Sequence, residues 1–158
     1  MPSAAPVSVG SRPVSGFPPS KNVEELGWTK FDSTTEKLKD YRGKVVVLDF
    51  WATYCPPCIE EIPHLASLKS QNKDLEVIGL HVGGEEDRPK VPQFIEKLKI
   101  NYPLAYPDRE LSATLLGDDS RIPQTVVFDK NGKMLTKIVG FDAQAKKTLD
   151  ETIAQALK

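Results

Sequence analysis

The sequence predicts an α/β domain with a central mixed sheet flanked by helices, and three observations carry that prediction. Residues 44–51 (Lys-Val-Val-Val-Leu-Asp-Phe-Trp) are apolar on both faces of a strand, the pattern of a central strand covered by helices on either side. Strand and helix patterns then alternate along the chain, which is the order that builds a sheet between helical layers. Near the C-terminus, Lys130-Asn131-Gly132-Lys133 joins two β-type runs. Asn-Gly is the strongest short hairpin signal, so at least one strand pair is antiparallel.

Taken in order, residues 23–30 form a weak strand candidate around Leu26 and Trp28. Ser33 or Thr34 is placed to cap a short helix through Lys39, stopped by Arg42-Gly43. The strand at 44–51 comes next, then a helix over 56–73. Proline is tolerated in that helix's first turn, where N–H groups lack intrahelical partners, and Pro63 is expected to kink it. Residues 75–82 read as a second buried strand and 83–88 as a polar loop. Residues 89–99 read as a helix with Val91, Phe94, Ile95 and Leu98 on one face. A short strand at 103–106, a short helix at 109–116 closed by Gly117, and strands at 125–129 and 134–139 follow. A helix over 142–157 ends the chain, with Leu149, Ile153, Ala156 and Leu157 turned inward.

The 158 residues fit one domain able to bury a full core without covalent help. Residues 1–20, rich in Pro, Ser and Gly with no apolar core, read as a disordered leader or linker, and 21–158 as the domain. A net charge of −1 gives no support for a nucleic-acid or anionic-membrane partner. No apolar run is long enough to span a bilayer.

Both cysteines lie in Trp51-Ala52-Thr53-Tyr54-Cys55-Pro56-Pro57-Cys58, where the strand ends and the helix begins. A helix N-terminus stabilises a thiolate, the reactive form of cysteine, through free N–H groups and the positive end of its dipole. Zinc would need four ligands, and His64 and His81 complete no common zinc spacing. Covalent haem attachment needs His after the second cysteine, where Ile59 stands. A purely structural disulfide would close a tiny loop, and short loops give the least stabilisation. The spacing and placement therefore point to a dithiol–disulfide centre without a cofactor. Asp49 is a second candidate. It interrupts an apolar strand, and burial would raise its pKa toward neutrality, where it can move protons.

With these motifs the sequence resembles the thioredoxin superfamily, and most closely its thiol–disulfide oxidoreductases of the TlpA/ResA type, over about residues 26–157. The resemblance rests on Val47-Leu48-Asp49-Phe50-Trp51-Ala52-Thr53-Tyr54-Cys55-Pro56-Pro57-Cys58, Glu60-Glu61-Ile62-Pro63, Ile122-Pro123-Gln124-Thr125-Val126-Val127-Phe128 and Asp129-Lys130-Asn131-Gly132. It implies a thioredoxin-like fold with a helical insertion before a cis-proline at Pro123. It implies Cys55 as the exposed attacking thiol, Cys58 as the buried resolving thiol, and Asp49 as an acid serving Cys58. Substrate contact is expected at Ile122, Pro123, Trp51, Tyr54 and Pro56. Glu85 or Glu86 is weighed against an active-site glutamate of the ResA type, with a solvated loop acid preferred. His64 and His81 are expected to have no catalytic part.

The implied activity is exchange or reduction of protein disulfides by a monomer that draws on an upstream thiol donor and uses no nucleic acid or metal. The implied compartment is extracytoplasmic if a signal segment has been removed, and cytoplasmic otherwise. Two other functions compete. A thiol peroxidase of the same fold would want Pro and Thr before its cysteine; Thr53 is present, but no Pro lies between Val45 and Cys55. A redox-linked metal chaperone would need two further ligands near Cys55.

Overall fold

The computed structural model describes residues 22–158, so the expected leader lies outside the described residues. Seven strands form one sheet: β1 (Gly27–Lys30), β2 (Thr35–Lys37), β3 (Val45–Trp51), β4 (Leu75–His81), β5 (Leu104–Pro107), β6 (Gln124–Phe128) and β7 (Met134–Val139), in spatial order β2-β1-β5-β4-β3-β6-β7. The helices are α1 (Pro56–Gln71), α2 (Val91–Leu98), α3 (Arg109–Leu115) and α4 (Ala143–Leu157). The β3–β4 and β4–β5 pairs are parallel, and the other four are antiparallel, so the sheet is mixed as expected.

The central strand β3 is buried along its whole length, and its alternation divides the core. Val45, Val47 and Trp51 join Cys58, Ile62 and Leu65 of α1 and Leu149 and Ile153 of α4 on one face. Val46, Leu48 and Phe50 join Leu111 and Leu115 of α3, together with Trp28 and Phe128, on the other. Successive strand residues point to opposite faces, so Asp49 is directed with Val47 and Trp51 toward the layer that holds the cysteines.

The helix expected after Ser33 or Thr34 is not formed. Ser33 takes a left-handed φ of 77° inside a turn, with its N–H on the Lys30 carbonyl at 2.8 Å. Thr35–Lys37 then pairs antiparallel with β1, and only a short 3-10 turn, Leu38–Tyr41, follows. Two features favour the strand. Thr34 and Thr35 are β-branched. Glu36, in β2, accepts hydrogen bonds from Trp28 Nε1 at 3.0 Å and Tyr41 Oη at 2.8 Å, partners that a surface helix would not have reached. Elsewhere the boundaries differ by a few residues. A 3-10 turn, Arg88–Lys90, precedes α2, and α1 continues through Pro63, which lies on the helix's exposed side.

Candidate active site

Residues 52–55 leave the end of β3 and turn directly into α1. Cys55 stands at the N-cap in extended backbone (φ −106°, ψ 105°), with Pro56 and Pro57 in the first helical positions. Those prolines have no N–H to give. The first donor left is Cys58 N–H, which donates to Cys55 Sγ at 3.2 Å. The two cysteines are joined as a disulfide with a Cα–Cα separation of 5.2 Å, so the structure is that of the oxidised pair. Cys58 is wholly buried and Cys55 only 5% exposed. Cys55 is thus barely more accessible than Cys58 in the oxidised pair, and it is not the exposed thiol that the resemblance implied. It packs into the same apolar cluster as Trp51 and Ile62.

Asp49 is fully buried, and so is Glu61, one turn beyond Cys58 on α1. Thr125, the residue of β6 opposite Asp49 in the β3–β6 ladder, donates its hydroxyl to Glu61 Oε2 at 2.7 Å. Neither oxygen of Asp49, nor Glu61 Oε1, has a donor among the described residues. Burial raises the Asp49 pKa well above the usual carboxyl range, and the Glu61 carboxylate pushes it further the same way. Burial also raises Glu61, to about 7, although the hydrogen bond from Thr125 and the neighbouring Asp49 lower it in part. Two buried carboxylates in contact cannot both stay charged cheaply, whereas one shared proton turns the contact into a hydrogen bond. Both carboxyls of the pair therefore hold a proton more readily than a solvent-exposed carboxyl does.

Trp51 was expected at the substrate surface and is instead fully buried. Its ring stacks on Phe94 at 5.2 Å and meets His81 edge-on at 5.1 Å. Gly79 leaves room for it, since a Cβ there would lie 3.1 Å from Trp51 Nε1 and 2.6 Å from Leu104 Cδ2. Phe94 of α2 and His81 of β4 close over this residue at the end of β3, so it supports the site from below. The other four expected contact residues lie differently. Tyr54 is 63% exposed and Pro56 is exposed. Ile122 is half-buried against the cluster that holds both cysteines, while Pro123 is buried and its peptide bond with Ile122 is cis.

Sequence reasoning had singled out neither Glu61 nor Asp87. A signal for Glu61 was present, because Cys58, Glu61, Ile62 and Leu65 share one face of α1, where a carboxylate in an apolar stripe stands out. Asp87 is buried, unlike Glu85 and Glu86, which are exposed. It accepts hydrogen bonds from Thr53 N at 2.9 Å and Thr53 Oγ1 at 2.5 Å, and its Oδ2 lies 2.9 Å from His81 Nε2. His64 lies away from this network, with its Nε2 2.6 Å from Asp150 Oδ1. Among the described residues no group of three or more His, Cys, Asp or Glu side chains is placed to hold a metal ion.

A seven-stranded mixed sheet with a disulfide at the start of α1, backed by a buried acid pair, defines a thioredoxin-like dithiol–disulfide protein. The chain belongs to the AhpC/TSA family, whose model matches residues 20–137. Among curated proteins it is similar to the thiol-disulfide oxidoreductases ResA of Geobacillus thermodenitrificans and Bacillus cereus. The first is 36% identical over 66% of this chain and 59% of its own length. The second is 32% identical over 77% of this chain and 69% of its own length. The match thus spans about two thirds or less of these relatives. A solved thiol:disulfide interchange protein of Chlorobium tepidum superposes with a TM-score of 0.71, at 24% identity, covering 95% of this chain and 100% of that one. A secreted Mycobacterium tuberculosis disulfide oxidoreductase gives 0.67 at 21% identity, covering 83% and 96%. At those identities the two structures speak for the fold.

Proposed function

We propose that this chain reduces or exchanges disulfides in protein substrates, with Cys55 as the attacking thiol, Cys58 as the resolving thiol and the Asp49–Glu61 pair as the proton acceptor for Cys58. The observation that carries the reading is a buried carboxyl pair whose Glu61 lies one turn beyond Cys58 on α1, the cysteine that is itself wholly buried. A thiolate in an apolar cluster is costly, so Cys58 needs a base beside it at the moment it attacks.

In the reduced protein, the Cys55 thiolate attacks one sulfur of a substrate disulfide, and the other sulfur leaves as a thiolate. Cys58 then loses its proton to the carboxyl pair and attacks Cys55 Sγ. The second substrate thiolate leaves, and the substrate has gained the two electrons that the cysteine pair lost. An upstream dithiol donor must return those electrons before another cycle.

The N-cap placement of Cys55 favours its thiolate through the Cys58 N–H and the helix dipole. A substrate chain docks on the exposed Tyr54 and Pro56 and contacts Ile122 and Pro123, while Trp51 is buried too deeply to take part. We place the activity in an extracytoplasmic compartment, the expectation that holds where a signal segment has been removed, and treat the chain as a monomer. Among the described residues no helix is long and apolar enough to cross a membrane.

The test is mass mapping of the reduced protein after brief alkylation. Cys55 is expected to carry the label first, and labelling of Cys58 first would reverse the roles. A peroxide-turnover assay and a zinc or copper titration separate this reading from the thiol peroxidase and the metal chaperone. Cell fractionation checks the compartment.

A further inference from the structure

The segment that carries Cys55 is short and held firmly at both ends. On one side, the Trp51 carbonyl accepts from Val82 N at 2.9 Å. On the other, Pro56 and Pro57 have fixed φ angles and start α1. Between them, Ala52, Thr53 and Tyr54 decide where Cys55 sits, and Tyr54 is largely in solvent. Thr53 is held through two groups at once. Its N–H reaches Asp87 Oδ2 at 2.9 Å, and its hydroxyl reaches Asp87 Oδ1 at 2.5 Å.

Asp87 comes from the loop between β4 and α2, and the surroundings are shaped to receive it. A carboxylate is rarely this buried without full pairing, and here Thr53 supplies two donors and His81 a third at 2.9 Å. Burial alone would raise the Asp87 pKa, but the hydrogen bonds from Thr53 and His81 outweigh it and leave it below its ordinary value. The side chain is therefore ionised, and His81 Nε2 is the donor. The His81 ring is in turn packed between Trp51 and Tyr106. Gly83 completes the seat, since a Cβ there would lie 2.6 Å from Asp87 Oδ2 and 2.8 Å from its Cβ.

We infer that Asp87, seated by His81 and Gly83, is a positioning residue that acts through Thr53 to set the approach of Cys55 to substrate. It makes the loop before α2 a working part of the redox site. The inference rests on the assignment of Cys55 as the attacking thiol. It adds that attack and resolution are supported by different carboxylates, Asp87 for the first and the Asp49–Glu61 pair for the second.

The experiment uses the reduced full chain and dithiodipyridine, a disulfide that releases one thiopyridone on attack and a second on resolution. Thr53→Val removes the hydroxyl bond, keeps the backbone bond and changes no charge. It is expected to slow the first release by about three- to tenfold, the equivalent of one hydrogen bond, and to leave the second unchanged. Thr53→Ser should restore the first release. Gly83→Ala, which displaces Asp87, and Asp87→Asn should slow it by about tenfold or more, because two bonds are disturbed together. Equal slowing of both releases, or a fall in urea stability with the first release unaltered, would show a structural part only and overturn the inference. If mass mapping finds Cys58 alkylated first, it is the underlying assignment of the cysteines that fails.

Discussion

Thr125 donates its hydroxyl to Glu61 at 2.7 Å, from the position that faces Asp49 across the β3–β6 ladder. One hydroxyl thus fixes which oxygen of Glu61 is committed and leaves the other, Oε1, without a donor among the described residues, as are both oxygens of Asp49. One shared proton satisfies the contact between the two carboxyls and leaves the pair able to take up a second, which is what its proposed role as acceptor for Cys58 requires.

Removing either carboxyl is expected to separate the two half-reactions. Asp49→Asn and Glu61→Gln should each slow the resolving step near neutral pH by about tenfold or more, at the low end of what a positioned base contributes. The initial attack by Cys55 should change much less. Two-phase thiopyridone release reads both steps, and equal loss in both phases would return the pair to a structural part.

The same pair makes stability depend on pH in a definite direction. The folded pKa of Glu61 is raised from 4.5 to about 7, so the folded state holds a proton that the unfolded state has lost across that window. For Glu61 the stabilisation is complete below pH 4.5 and is lost as pH rises to about 7, on the order of 3 kcal/mol. Urea unfolding of the oxidised protein between pH 4.5 and 8 should show this fall, and Glu61→Gln should flatten it.

Cys58→Ser is expected to accumulate mixed disulfides with protein substrates, because no second thiol remains to release them. Non-reducing gels with mass identification check this. Rapid multiple turnover by the variant would sink the two-cysteine mechanism.

Trp51 and Tyr54 should behave oppositely despite their closeness in sequence. Trp51→Ala removes a fully buried ring and should cost about 3–5 kcal/mol in urea unfolding. Tyr54→Ala alters a side chain 63% exposed and should change stability by no more than about 0.5 kcal/mol. Its expected effect is a higher KM for protein disulfides, with little change toward a small disulfide reagent.

Local pattern by itself determined most of the fold and the reactive pair. The double-sided apolar run of β3, the helix start at the two prolines, the Asn131-Gly132 hairpin and the face of α2 are each written in neighbouring residues. The Cys-x-x-Cys spacing is equally local, so the redox centre was legible, and Asp49 stood out as a charge in an apolar strand. Only the tertiary structure decided what depends on distant partners. Thr35–Lys37 became a strand because β1 and the Glu36 contacts lay beside it, against the helix its capping residues suggested. Trp51 is buried because Phe94 of α2 and His81 of β4 pack over the end of β3. Glu61 meets Asp49 only when α1 packs on β3, and Asp87 reaches Thr53 only when the loop after β4 folds over the end of β3. These are long-range contacts between charged or hydroxyl groups. Their energies come from burial and pairing, which no window of sequence contains until the chain has brought the partners together.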